Sequence, residues 1–427
     1  MLWITNKLTD QVHRRLTNKT GEMFMRLNKM FQYLIVLGLA LTTTSAIAGE
    51  KNYGPGVSDT EIRIGQTISY SGPNSSLGTI GRVTSAYYRM INEQGGINGR
   101  KINFLSLDDG YSPPKTAELA RRLVEQDKVL GIFGSLGTAT NYAMQRYLND
   151  RKVPQFFTWS GVARMRDPHA FPWTIGGDLA FVNETKAFAR YVLETRPSAK
   201  VAVLMQNDDF GRDHLTGFKV GLGEKAPEII VRTVTYEVTD ATMDSQVFEL
   251  KESGADVLLM VALPKFAAQA IRKMHEIGWD PMKLLAYPAA SIPATFKPAG
   301  LEASTGIITA EFVKQTGDPA WTNDPEMIAF LAFMKQYAPD IDPTDKLSVF
   351  GYYGGAMVAA LLTRCGDNLT RENLLEQATH MKNVSVPMLL PGITLNTAPD
   401  DYSPIKQMQL QRFDGTGWVK IGSIVGG

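Results

Sequence analysis

Two hydrophobic rhythms alternate along this chain. The octet "EIRIGQTI" (61–68) alternates apolar and polar positions through Ile62 and Ile64, the period of a strand, and "GRVTSAYYRMINEQ" (81–94) reads as a helix that Gly95-Gly96 stop. The pair recurs. Strand "KINFLSLDD" (101–109) precedes helix "SPPKTAELARRLVEQD" (112–127), where Ser112 stands as a cap and proline is tolerated in the first turn. Strand "KVLGIFG" (128–134), helix "TATNYAMQRYLNDR" (138–151) and strand "VPQFFTWS" (153–160) complete the first series.

A second series starts with helix "FVNETKAFARYVLET" (181–195) and strand "AKVAVLMQND" (199–208). Helices are expected at 212–225, 243–254 and 264–278, and strands at 228–238, 255–263, 283–291 and 305–312. Three helices (325–338, 347–366, 370–381) and a closing β segment from "GITLN" (392–396) to "QMQLQRFDGTGWVKIG" (407–422) end the chain. Strands alternating with helices of this length predict an α/β fold with parallel sheets covered on both faces. Two series of about equal length predict two similar lobes. The apolar run Leu347–Leu362 carries no i, i+4 charge pair, and Tyr352, Tyr353 and its glycines interrupt it, so it reads as a buried helix rather than a membrane span.

The start of the chain has a different pattern. Arg26 and Lys29 precede "FQYLIVLGLALTTTSAIA" (31–48), a basic segment, an apolar core and a small-residue end, the layout of a secretory signal with cleavage after Ala48. Its strongly apolar part, Leu34–Leu41, falls far short of the ~20 residues a membrane span needs. Residues 1–48 are therefore expected to be leader and signal, with translation starting at Met23 or Met25 and the mature protein in the periplasm.

Composition narrows the chemistry. A net charge of +1 on 427 residues offers no basic stripe for nucleic acid. The single cysteine, Cys365, excludes an internal disulfide or a cysteine metal cluster, and the five histidines include no i, i+4 pair. No cofactor and no metal are expected.

Ligands of open α/β sheets sit beyond the carboxyl ends of the strands, so the strand-to-helix corners are the candidate site. In the first lobe these are "SYSGPNSSLG" (69–78), "DDGYSPP" (108–114), "GSLGTAT" (134–140) and "TWSGVAR" (158–164); in the second, "NDDFGR" (207–212), "TDATMD" (239–244), "LPK" (263–265) and "YPAAS" (287–291). None pairs a nucleophile with a nearby histidine, which argues against an enzyme. "GSLGTAT" lacks the lysine of a phosphate loop. What it offers is a helix N-terminus with backbone N–H groups and two hydroxyls, suited to a carboxylate; the alternative is that Ser135 and Thr138 merely cap the helix. Trp159 and Phe210 are candidate pocket walls, Asp208 and Asp209 read as turn and cap residues, and Arg164 and Arg166 either reach a carboxylate or pair with a neighbour such as Asp167.

Taken together, "IRIGQTISYSGPNSSLG", "INEQGGINGRKINFLSLDDGYSPPKT", "GIFGSLGTAT", "NDDFGR" and "FKPAG" resemble the substrate-binding proteins of branched-chain amino acid type ABC importers, from about Val57 to the end. The resemblance implies a type I periplasmic binding fold of two doubly wound parallel-sheet lobes joined by crossover hinge segments. It implies a first lobe at 57–178 and 309–383, a second at 179–308 and 384–425, and a ligand trapped in the cleft by hinge closure. It further implies a monomer that hands its ligand to an ABC permease in the cytoplasmic membrane.

Carried over by position, the ligand contacts fall at Asn74, Leu77, Ser135, Leu136, Gly137, Thr138, Trp159, Ser160, Gly161, Phe210, Ala289 and Ala290. The chain departs from amino-acid binders of the family at Leu77, where tyrosine is frequent, and at 287–291, where an acid usually meets the ligand ammonium. An ammonium buried without a counter-charge is costly. A small carboxylate without an amino group follows, an aromatic acid of benzoate or cinnamate type first and an aliphatic carboxylate or amide second, unless Asp109 or Asp240 supplies the charge. A branched-chain or other amino acid receptor, and a ligand sensor of the same fold, remain as alternatives.

Overall fold

The computed structural model describes residues 51–426; the leader and signal expected at 1–48 lie outside them. Two sheets organise the described chain. The first has five parallel strands in the order Lys101–Asp108, Glu61–Ile68, Ile132–Phe133, Gln155–Thr158 and Thr174–Gly176. The second has seven, in the order Trp418–Gly426, Gln407–Phe413, Ile308–Glu311, Met282–Leu285, Val257–Val261, Val201–Gln206 and Ile230–Tyr236. Its last five are parallel, whereas Gln407–Phe413 and Trp418–Gly426 run antiparallel as a hairpin on its edge.

The central strands Val201–Gln206 and Val257–Val261 are buried at every position, as a sheet covered on both faces requires. Helices Phe181–Thr195 and Asp209–Leu222 pack together through glycines: a Cβ on Gly217 would lie 2.5 Å from Val182 Cα, and one on Gly221 2.6 Å from Ala189 Cβ. The expected helix at 347–366 runs Lys346–Cys365 and is buried along most of its length. It packs its glycines on helix Gly78–Glu93, where a Cβ on Gly351 would meet Ile80 O at 2.5 Å. No helix among the described residues is long and apolar enough to cross a membrane.

Three segments cross between the sheets. The first follows Gly176, the second follows Glu311, and the third enters Gln407–Phe413. They pair with one another through bridges Leu179–Ile405 and Val313–Leu389, and Lys314 N–H donates to Met388 O at 2.7 Å.

The structure changes the expectations in particular places. "KVLGIFG" contributes two strand residues, Ile132–Phe133, between Gly131, packed against Pro154, and Gly134, which turns the chain at φ +62°. "KLLAYPAAS" stops as a strand at Leu285; Pro288 withholds a donor and 287–289 form a short 3-10 turn. "GITLN" forms no strand, only an isolated bridge from Leu395 to Val384. The strand Ile308–Glu311 crosses the expected boundary at 308/309 and pairs within the second sheet throughout.

Candidate functional site

A cavity of about 50 Å3 lies between the lobes at the carboxyl ends of the strands. The first lobe lines it with Leu77, Ile80, Tyr111, Leu136, Gly137, Thr138 and Trp159, and helix Lys346–Cys365 adds Leu347 and Phe350. The second lobe contributes Phe210, Leu263, Tyr287 and Pro288, with Asp178 and Phe181 at the first crossover.

Six of the fifteen lining residues are aromatic: Tyr111, Trp159, Phe181, Phe210, Tyr287 and Phe350. Trp159 stacks on Phe350 (5.4 Å, 28°), and Phe350 stacks in turn on Phe312 (5.6 Å, 12°). Phe181 meets Phe210 edge-on at 5.2 Å and stacks on His214 at 4.1 Å. Trp159 reaches the wall just past a β-bulge in which Phe157 adopts φ +58°, a conformation that costs a non-glycine residue of order 1–3 kcal/mol and re-aims the chain beyond it.

The loop Gly134–Gly137 brings helix Thr138–Asp150 to the cavity by its N-terminus. Gly137 is the N-cap residue at φ +98°, where a Cβ would lie 2.5 Å from Thr140 Oγ1, so only glycine fits. No side chain caps this helix. Ser135 Oγ instead accepts from Thr67 N–H at 3.0 Å, and Thr138 Oγ1 pairs with Ser160 Oγ at 2.8 Å. The capping alternative for Ser135 and Thr138 therefore fails, and the first N–H groups of the helix stay without a side-chain acceptor.

The opposite corner is closed by its own residues. Asp208 caps helix Asp209–Leu222, its Oδ1 accepting from the N–H of Phe210 at 3.0 Å and of Gly211 at 3.3 Å, as the reading of a cap residue anticipates.

Buried charges ring the cavity in matched sets. Arg166 Nη2 donates to Asp178 Oδ1 at 3.0 Å, and Tyr287 Oη donates to Asp178 Oδ2 at 2.5 Å. Burial pushes the Asp178 carboxyl up to about 6 against the opposing pull of Arg166 and Tyr287. Lys346 Nζ pairs with Glu311 at 2.6 Å and donates to Tyr287 O at 2.7 Å, tying the helix at Lys346 to the second lobe. His214 Nδ1 donates to Phe210 O at 2.7 Å, since a carbonyl can only accept, and Nε2 faces Glu184 Oε2 at 3.1 Å. Burial raises the Glu184 carboxyl, with His214 acting against it.

Of the residues singled out by sequence, Leu77, Leu136, Gly137, Thr138, Trp159 and Phe210 lie together on the wall. Six do not line it. Ser135 and Ser160 are committed to Thr67 and Thr138. Gly161 serves packing, because a Cβ there would lie 2.2 Å from Leu179 O. Ala289 and Ala290 are fully buried behind Tyr287 and Pro288, which the 3-10 turn presents instead. Asn74 is buried, and neither its amide oxygen nor its nitrogen has a hydrogen-bond partner.

Asp109 is held locally by Tyr111 N–H (2.9 Å) and Thr116 Oγ1 (3.0 Å), and Asp240 binds Glu237 N–H; neither lines the cavity. Arg164 turns away onto Gln145 and the Tyr142 ring, and Arg166 pairs with Asp178 rather than Asp167. Asp178 is the acid among the lining residues that sequence reasoning missed. It sits in a crossover rather than a strand-to-helix corner, and nothing in "GGDLAF" marks it.

A family model described as periplasmic binding protein matches residues 61–417, well over half of the chain. The chain belongs to this family. It is a type I periplasmic binding protein of the branched-chain amino acid group, and the family is one of substrate-binding receptors. An amino acid binding protein of Pseudomonas aeruginosa is 26% identical over 233 residues; the match covers 51% of this chain and 58% of that protein's length. Among solved structures, a fatty acid ABC transporter substrate-binding protein from Thermomonospora curvata superposes with a TM-score of 0.74 at 23% identity, covering 88% of this chain and 95% of that one. The solute-binding protein of an ABC transporter from R. palustris, in complex with 4-hydroxybenzoate, gives 0.72 at 19%, covering 86% and 97%. At these identities the structures share this periplasmic binding protein's fold, and that fold carries chemically different ligands.

Proposed function

We propose that this periplasmic binding protein captures a small carboxylate with an aromatic or otherwise apolar body in the cavity between its lobes. Exported by the segment ending at Ala48, it delivers that ligand to an ABC permease in the cytoplasmic membrane. The observation that carries this reading is the charge pattern of the wall. The lining acid, Asp178, is already matched by Arg166, so it offers no free counter-charge to an ammonium, while the Thr138 helix presents uncapped N–H groups suited to an anion. Leu77, Leu136, Gly137, Thr138, Trp159 and Phe210 are our candidate ligand contacts, joined by Tyr111, Phe181, Tyr287 and Phe350. The aromatic neighbours suit a ring stacked within the cleft. Closure of the lobes around the ligand uses the three crossovers as hinges.

A second reading is favoured by one observation: Asp178 does line the cavity, so an amino acid displacing Arg166 from it would find its acid there. A thermal-shift screen separates the two. Benzoate, phenylacetate and cinnamate are expected to raise the midpoint according to RT ln(1 + [L]/Kd), and leucine, valine, phenylalanine and glutamate to leave it unchanged. Shifts with the amino acids alone would replace the first reading by the second.

A further inference from the structure

Building on the carboxylate reading, we propose that Asp178 is a specificity-determining residue that accepts a hydrogen bond from a ligand hydroxyl, so that the preferred occupant is a hydroxylated carboxylate. Asp178 and Tyr287 interrupt a stretch of wall made of Trp159, Phe181, Phe210 and Phe350. A carboxylate has about four acceptor positions. Two are used, Oδ1 by Arg166 and Oδ2 by Tyr287, and no further donor to either oxygen occurs among the described residues apart from contacts within the Asp178 backbone region. An acceptor facing an apolar cavity is costly until a donor meets it. The ligand is the element that can supply that donor.

The charge of the surroundings selects the kind of donor. Asp178 is matched by Arg166, Glu311 by Lys346, and Glu184 lies 3.1 Å from His214 Nε2. A neutral hydroxyl leaves these sets balanced, whereas an ammonium adds a buried charge with no partner. The same geometry makes Tyr287 the donor that already occupies Asp178 Oδ2, so a ligand hydroxyl meets what remains of the carboxylate.

Calorimetric titration of the protein with benzoate, 3-hydroxybenzoate, 4-hydroxybenzoate, phenylalanine and leucine tests this. Sites built to bond a hydroxyl reject the analogue that lacks it by large factors, so one hydroxybenzoate is expected to bind at least about 10-fold tighter than benzoate. In Asp178→Asn that advantage is expected to shrink to within about threefold while the benzoate Kd stays nearly constant, a split that loss of general structure would not produce. Because Asp178→Asn leaves Arg166 buried without its counter-charge and can unfold the chain, Tyr287→Phe provides a second variant. It keeps the ring and frees Oδ2, so the hydroxyl advantage persists or grows.

Collapse of the advantage in Tyr287→Phe would assign the hydroxyl to the phenol and overturn the role of Asp178. Equal affinity for benzoate and both hydroxybenzoates would overturn this inference alone. Binding of phenylalanine or leucine with none of the benzoates would overturn the carboxylate reading and this inference together.

Discussion

The corners 134–138 and 207–211 reach the same cavity from opposite lobes and treat their helix N-termini in opposite ways. In the second lobe, Asp208 fills the end of its helix with the protein's own carboxylate. In the first lobe the position equivalent in role is Gly137, which has no side chain to offer, and the hydroxyls of Ser135 and Thr138 are spent on Thr67 and Ser160. The contrast extends outward: Glu184 and His214 satisfy each other on the second side, while Asn74 on the first side is buried with its amide unpartnered. At the cavity wall itself the contrast rests on the two helix ends, bare at Gly137 and filled by Asp208, and it supports our proposal that the first lobe takes the ligand's charged end.

The contrast can be broken most forcefully at Thr138. Thr138→Asp places a carboxylate in the first turn of the uncapped helix, making that corner resemble the other. The expected result is carboxylate binding weaker on the order of 100-fold, through like-charge repulsion in a buried setting, with a lower melting midpoint because Thr138 is buried and its hydroxyl pairs with Ser160. Calorimetry and melting curves on the same preparation check both halves; unchanged affinity would mean that the anion sits elsewhere. Asp208→Ala attacks the other side. Loss of the cap is expected to cost about 1 kcal/mol of stability in urea unfolding, with ligand affinity changed less than in Thr138→Asp. A larger fall in affinity than in stability would show the second lobe gripping directly.

The smallest change sharpens the comparison. Asn74→Leu replaces an unsatisfied amide by an apolar side chain of similar volume, and the unliganded protein is expected to gain up to about 1 kcal/mol. Melting with and without ligand reads this. If Asn74 bonds the ligand, the gain seen without ligand turns into a loss at saturation.

Much of the architecture was legible in the residues. Helix 181–195 and strand 61–68 match the expected bounds, and the two α/β series appear as two sheets. Asp208 was readable as a cap because its signal is local: an acid directly ahead of a helix. At the site, the corners that follow strands were found, and Leu136, Gly137, Thr138, Trp159 and Phe210 came with them. Phe350 and Leu347 were not found, and Tyr287 lay in the candidate corner 287–291 without being singled out as a contact, because a buried helix and a turn residue look the same whether they face a core or a cavity. The antiparallel hairpin at the end of the second sheet was read as β without its direction, since strand direction is set by pairing rather than by pattern.

What the sequence determined by itself is therefore the set of elements, their order and most of the corners that line the cavity, because period, capping and turn chemistry act within a few residues. Tertiary structure decided which corner side chains face inward. It turned Ser135 onto Thr67 and Ala289 into the core, and it joined Arg166, Asp178 and Tyr287 across more than a hundred residues of chain. Those outcomes depend on burial and on the pairing of distant charges. Both exist only once the lobes and their crossovers have packed.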